Sequence, residues 1–137
     1  MVVGSRLGLE VVGVDIDSDA EGGRGHTHFK PAERTPEFVE RVVTTFMAGF
    51  AAEVKLGKPD PDGSGFDFDA TLREWLAYLE PDPRRRPALA QEHFRRAQQE
   101  LDEEGVWPLV EAVAAALLQA RRLDAAAVRR LLTAAVD

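Results

Sequence analysis

Thr35-Pro36-Glu37-Phe38-Val39-Glu40-Arg41-Val42-Val43-Thr44-Thr45-Phe46-Met47-Ala48-Gly49-Phe50-Ala51-Ala52-Glu53-Val54-Lys55-Leu56 is the stretch on which the fold of this chain turns. It opens with a hydroxyl residue, then proline, then an acid. That order caps an orphan N–H group, pre-sets φ at the first helical position and places negative charge at the positive end of the helix dipole. Phe38, Val39, Val42, Val43, Phe46, Met47 and Phe50 then recur at i, i+3, i+4, the spacing that lines one helix face with apolar groups. The stretch predicts one long helix, running to about Leu56, with a single buried face.

Toward the C-terminus, Lys58 to Gly65 (KPDPDGSG) reads as a loop. A second helix is expected over 68–79, with Phe68, Leu72, Trp75, Leu76 and Leu79 on one side. Pro81, Pro83 and Pro87 are expected to break the chain, and Arg84-Arg85-Arg86 between them reads as a solvated loop. Helical periodicity resumes over 88–104 and, past Gly105, over 107–120. Asp124 caps a last short helix, with Val128, Leu131 and Leu132 inward.

Toward the N-terminus, Glu10 to Ile16 (EVVGVDI) alternates around Val12, Val14 and Ile16, the period-two signal of a half-buried strand. Asp17 to Gly25 is a polar, glycine-rich connection, and His26 to Phe29 is the hairpin partner. Met1 to Leu7 has the look of the last turns of a helix, ended by Gly8 in the left-handed region. The expected fold class is therefore α+β, mostly α: a short N-terminal β-hairpin (10–29) followed by a bundle of four to five helices (36–137). At 137 residues and 45% hydrophobic, the chain suits one domain, 1–137.

A net charge of −7, from 17 basic against 24 acidic residues, argues against nucleic acid as the partner. The absence of cysteine excludes disulfides and thiolate zinc sites, and it fits a cytoplasmic protein. Val110 to Leu118, the longest apolar run, is interrupted by Glu111 and falls far short of the ~20 residues that cross a bilayer. No membrane segment is expected.

Several segments, taken in order, resemble the protease domain of the FtsH family of ATP-dependent zinc metallopeptidases, and most of all its small relatives without the ATPase module. Gly25-His26-Thr27-His28-Phe29 resembles the family's Gly-Tyr-Thr segment along the active-site cleft. Phe46-Met47-Ala48-Gly49-Phe50-Ala51-Ala52-Glu53 is similar to its Leu-Ala-Gly-Arg-Ala-Ala-Glu helix. Gly63-Ser64-Gly65-Phe66-Asp67-Phe68 resembles Gly-Ala-Ser-Asn-Asp-Leu, whose aspartate is the third zinc ligand. Trp107 to Leu118 and Leu123 to Leu132 are similar to the closing helices.

The resemblance implies zinc in a full-length form, with Asp67 as a metal ligand and Gly25, His26, Thr27 and His28 along the substrate. The departure is equally plain. The family's His-Glu-x-x-His helix, two histidines for zinc and a glutamate for its water, is expected just before Val2-Val3, where this chain begins. The domain thus reads as truncated at its N-terminus, and the chain as given is expected to have no catalytic residues and to bind no zinc.

Other candidate sites are thinner. His26 and His28, two apart on a strand, share a face and with Asp67 suggest an improvised two-histidine, one-carboxylate metal site. His93, beside Glu92 and Arg95, reads as a surface residue. Asp60-x-Asp62-x-Ser64-Gly65 imitates half of a calcium loop, but Thr71 stands where the bidentate glutamate belongs. Ser5, Ser18 and Ser64 lack a nucleophile elbow, and Gly22-Gly23-Arg24-Gly25 opens no helix, so neither serine hydrolysis nor a phosphate loop is supported.

Two functions follow as expectations. One is a zinc-metallopeptidase-like domain, hydrolysing peptides with metal assistance only in a fuller form. The other is a non-catalytic peptide-binding or assembly module of the same fold, its partner a polypeptide or protein. A missing helix would uncover apolar surface, so a homo-oligomer packed near 1–9 and 38–50 is expected.

Overall fold

The computed structural model describes residues 1–16, 26–61 and 70–134, with the backbone alone described at His26 and Ala134. In chain order the elements are α1 (Val2–Arg6), β1 (Val11–Asp15), β2 (His26–Phe29), α2 (Pro36–Lys55), α3 (Ala70–Leu79), α4 (Arg86–Asp102), α5 (Val106–Ala120), β3 (Arg122–Asp124) and α6 (Ala125–Ala134). The fold is α+β and mostly α, as the sequence indicates. The chain divides into two compact units, one of Met1–Pro31 with Glu103–Asp137 and the other of Ala32–Asp102.

The first unit is built on a three-stranded antiparallel sheet in the order β2-β1-β3. α6 lies against β1 and β3, α5 against α6, and α1 against α5. Gly8, at φ 93°, ends α1, and the Leu9 N–H turns back to the Gly4 carbonyl at 2.9 Å. Only a residue without Cβ adopts that left-handed turn without strain. The hairpin forms as expected, but its alternation does not. A β-bulge between Val11 and Gly13 adds one residue on β1, so Val11 and Val14 are buried while Val12 is 43% exposed. An inserted residue flips the faces on one side of it, and that is why Val12 is not the inward residue its spacing suggests.

β3 was not expected from the sequence. It is three residues long, pairs Leu123 with Val14 and Arg122 with Asp15, and buries only Leu123. Arg121, at φ 64°, makes the turn out of α5 into it, and its carbonyl accepts from the Ile16 N–H at 2.9 Å. Asp124 then caps α6, its Oδ1 accepting from the Ala127 N–H at 2.8 Å.

In the second unit α2 packs chiefly on α4 and also on α3. Thr35 caps α2 through Oγ1, which accepts from the Phe38 N–H at 3.1 Å. Val39, Val43, Met47, Leu72, Ala90, Phe94 and Ala97 are almost fully buried and form the core. Arg34 lies 4.6 Å over the Trp75 ring, and Trp75 meets Phe38 edge-on, so the lead into α2 is held against α3 by cation–π and aromatic contacts.

The proline-rich segment breaks the chain after Leu79 as expected, but Pro87 does not. Pro83–Arg85 is a 3-10 turn capped by Asp82, and Pro87 sits in the first turn of α4, where its missing N–H costs no helical hydrogen bond. Arg84 and Arg85 are solvated as expected, though in a 3-10 turn rather than a loop, and Arg86 opens α4. Arg84 pairs with Asp82 at 3.2 Å, and the Arg86 guanidinium donates to the carbonyls of Glu80 and Pro81.

Candidate functional site

The hairpin carries the residues to which the sequence points. β2 occupies one edge of the sheet, with β1 on its inner side and no strand among the described residues on its outer side. The Lys30 N–H donates to the Glu10 carbonyl at 2.8 Å. In an antiparallel ladder alternate residues bond to the same neighbour, so His28 and His26 also direct their N–H and C=O groups toward β1. The β3 side agrees, since the Ile16 N–H bonds to β3's approach and leaves Gly13 and Asp15 to pair with β2. Thr27 and Phe29 therefore turn their backbone polar groups outward, along the open edge.

Register sets the side-chain faces. Thr27 stands opposite Val14, on the face that buries Val14 and Leu123. His28 pairs with Gly13, His26 with Asp15, and on the other flank Asp15 pairs with Arg122 and Gly13 with Asp124. The second face of the sheet thus carries polar residues from all three strands, beside the exposed Val12. On it His28 Nε2 lies 2.9 Å from Asp15 Oδ2, with the imidazole 58% and the carboxylate 21% exposed. This is a diagonal cross-strand pair. The ring reaches across Gly13, where a Cβ would stand in ordinary contact with His28 Cδ2 at 4.0 Å.

Gly25 and Asp67 lie outside the described residues, as do Asp62, Ser64 and Gly65 of the calcium-like stretch, Ser18, and the glycines at 22 and 23. Asp60 is described: it is exposed and accepts from Arg95 Nη1 at 3.0 Å. Among the described side chains no three of His, Asp and Glu group closely enough to hold a metal ion. The described donors alone do not fit the three-ligand zinc centre that catalysis needs.

His93 is not on the surface. It is 1% exposed, and its Nδ1 lies 2.8 Å from Thr44 Oγ1 of α2. Burial pushes its pKa below the ordinary imidazole value, Arg96 adds to that, and Glu40 and Glu92 oppose it. The signal was present in the sequence, because Ala90, His93, Ala97 and Leu101 share the apolar stripe of α4. Asp15 was missed for a different reason: which residue it faces depends on hairpin register, and the long connection leaves register open.

No family model matches the chain, and neither does any curated protein or solved structure. No helix among the described residues is long and apolar enough to cross a membrane.

Proposed function

We propose that this chain is a zinc-metallopeptidase-like domain that, with its own residues, binds polypeptide in extended form rather than cleaving it. The observation that carries this reading is the open outer edge of β2, residues 26–29, with the Thr27 and Phe29 amides directed away from the sheet. An added strand gains main-chain hydrogen bonds there, and alternate side chains of the peptide meet the polar face around His28 and Asp15. The resemblance to the FtsH protease domain, in which the matching segment lies along the cleft, supports the same edge.

Self-association belongs to the same reading, since an open edge accepts a second copy as readily as a peptide. Of the apolar positions first expected to drive it, Val2, Val3, Leu9, Val39, Val43 and Met47 are buried, while Phe38, Val42, Phe46 and Phe50 are half-buried. The open edge of β2 is the proposed route.

The test is selection of binders from a phage-displayed library of random decapeptides, followed by affinity measurement on the wild type and on Thr27→Pro. Proline removes one outward N–H while leaving the β1 ladder its own donors. Binding is expected to weaken by about tenfold or more in Thr27→Pro, with far-UV circular dichroism unchanged. Selected peptides that bind Thr27→Pro as tightly as the wild type would exclude the edge.

A further inference from the structure

We infer that, given the strand-edge reading, the polypeptide taken up at β2 is an amphipathic strand, apolar at the positions beside Thr27 and Phe29 and acidic at those beside His28 and Lys30. Successive residues of an extended chain point to opposite faces, and directly paired residues of neighbouring strands share a face. A strand added outside β2, in either direction, therefore presents every second side chain to each face of the sheet.

The two faces differ at this edge. Thr27 and Phe29 lie on the side that buries Val11, Val14 and Leu123. α6 covers that side at β1 and β3, and at β2 the cover thins: Thr27 and Phe29 are only half-buried. Apolar side chains on an added strand extend the same layer and take the remaining surface of Phe29 out of water.

His28 and Lys30 lie on the other side, and both are exposed. Lys30 continues the ladder past β2, its N–H bonded to the Glu10 carbonyl. The acidic partners of these two residues lie further in, on β1 and just before it. His28 Nε2 meets Asp15 Oδ2 at 2.9 Å, and Lys30 Nζ meets Glu10 Oε2 at 3.5 Å. An incoming strand thus meets an imidazole and an ammonium before any carboxylate. Exposed pairs of this kind are worth little, so Lys30 and His28 turn to a carboxylate on the peptide at small cost, while a lysine opposite Lys30 is repelled. The net charge of −7 acts the other way at long range. At physiological salt, with a screening length of ~8 Å, the cross-strand neighbours prevail.

The test uses two fluorescein-labelled nonapeptides, Ser-Gly-Val-Glu-Val-Glu-Val-Gly-Ser and the same sequence with lysine for glutamate. Each is titrated at physiological salt into wild type, Lys30→Glu and Thr27→Pro and followed by fluorescence anisotropy. The glutamate peptide is expected to bind wild type about tenfold more tightly than the lysine peptide. Lys30→Glu is expected to remove or invert that preference, and Thr27→Pro to weaken both peptides. The Lys30 side chain is 68% exposed, so its replacement leaves the fold, checked by circular dichroism, unchanged. Equal affinity for the two peptides, or an acid preference that survives Lys30→Glu, overturns the inference, while sensitivity to Thr27→Pro keeps the edge reading standing. Binding indifferent to Thr27→Pro places the peptide elsewhere and sinks both. Binding of neither peptide overturns the inference as well, and selection from the random library then decides the edge by itself.

Discussion

His93 is one imidazole in the core of the helical unit, and its surroundings give its titration a definite sign. Burial is the main influence and disfavours the charged ring, reinforced by Arg96 and countered in part by Glu40 and Glu92. The folded pKa lies below the free value of 6.5, so the unfolded chain binds the extra proton first. Stability from this group is complete above about pH 6.5 and is lost as pH falls toward the folded value. His93→Gln keeps a side-chain polar group near Thr44 and cannot titrate. Urea denaturation from about pH 7 to about pH 5.5 is expected to show wild type losing stability and His93→Gln losing markedly less. Parallel slopes would mean that the burial of His93 does not govern its ionisation. The residue was misread because its charged neighbours, Glu92 and Arg95, suggested a polar surface, whereas the helical spacing of Ala90, Ala97 and Leu101 places it on the inner face. Spacing outweighed composition here, as it does wherever one face of a helix is covered.

Helix ends were the most legible elements. Thr35-Pro36-Glu37 and Asp124 announce helix starts through side-chain acceptors, and both caps form, at 3.1 Å and 2.8 Å. Such signals are local, complete within four residues and indifferent to the rest of the fold. Thr35→Ala and Asp124→Ala are each expected to cost about 1 kcal/mol in urea denaturation. A change within error at either position would show that its cap is replaced by water. Strands were less legible for the opposite reason. The bulge at Val11 to Gly13 and the three-residue strand at Arg122 to Asp124 are set by partners distant in sequence, and neither carries a local pattern. Leu123 in particular is a single apolar residue between two charged ones, whose burial follows from Val14 lying opposite it. The faces of the sheet, and with them the meeting of His28 and Asp15, could not be read before that pairing was known.

At the scale of the molecule, the chain returns to its first unit after the helical excursion of residues 32–102, so β3 completes the sheet that β1 and β2 began, and α6 packs on it. The consequence for function is asymmetry at the sheet's edges. On one flank β1 is paired by β3, which leads directly into α6, while on the other β2 has no described strand beyond it. The helical stretch over 35–56 decided the fold class, but the edge decides the proposed activity, and the edge follows from the order β2-β1-β3 rather than from any single motif. The measurement that tests this most directly is residue-resolved amide hydrogen exchange on the full chain, with and without a saturating library-selected peptide. Strand addition predicts that the Thr27 and Phe29 amides exchange readily in the free protein and become strongly protected in the complex, while His28, already bonded to β1, changes little. Protection that appears elsewhere and leaves Thr27 and Phe29 exchanging as before would contradict the account.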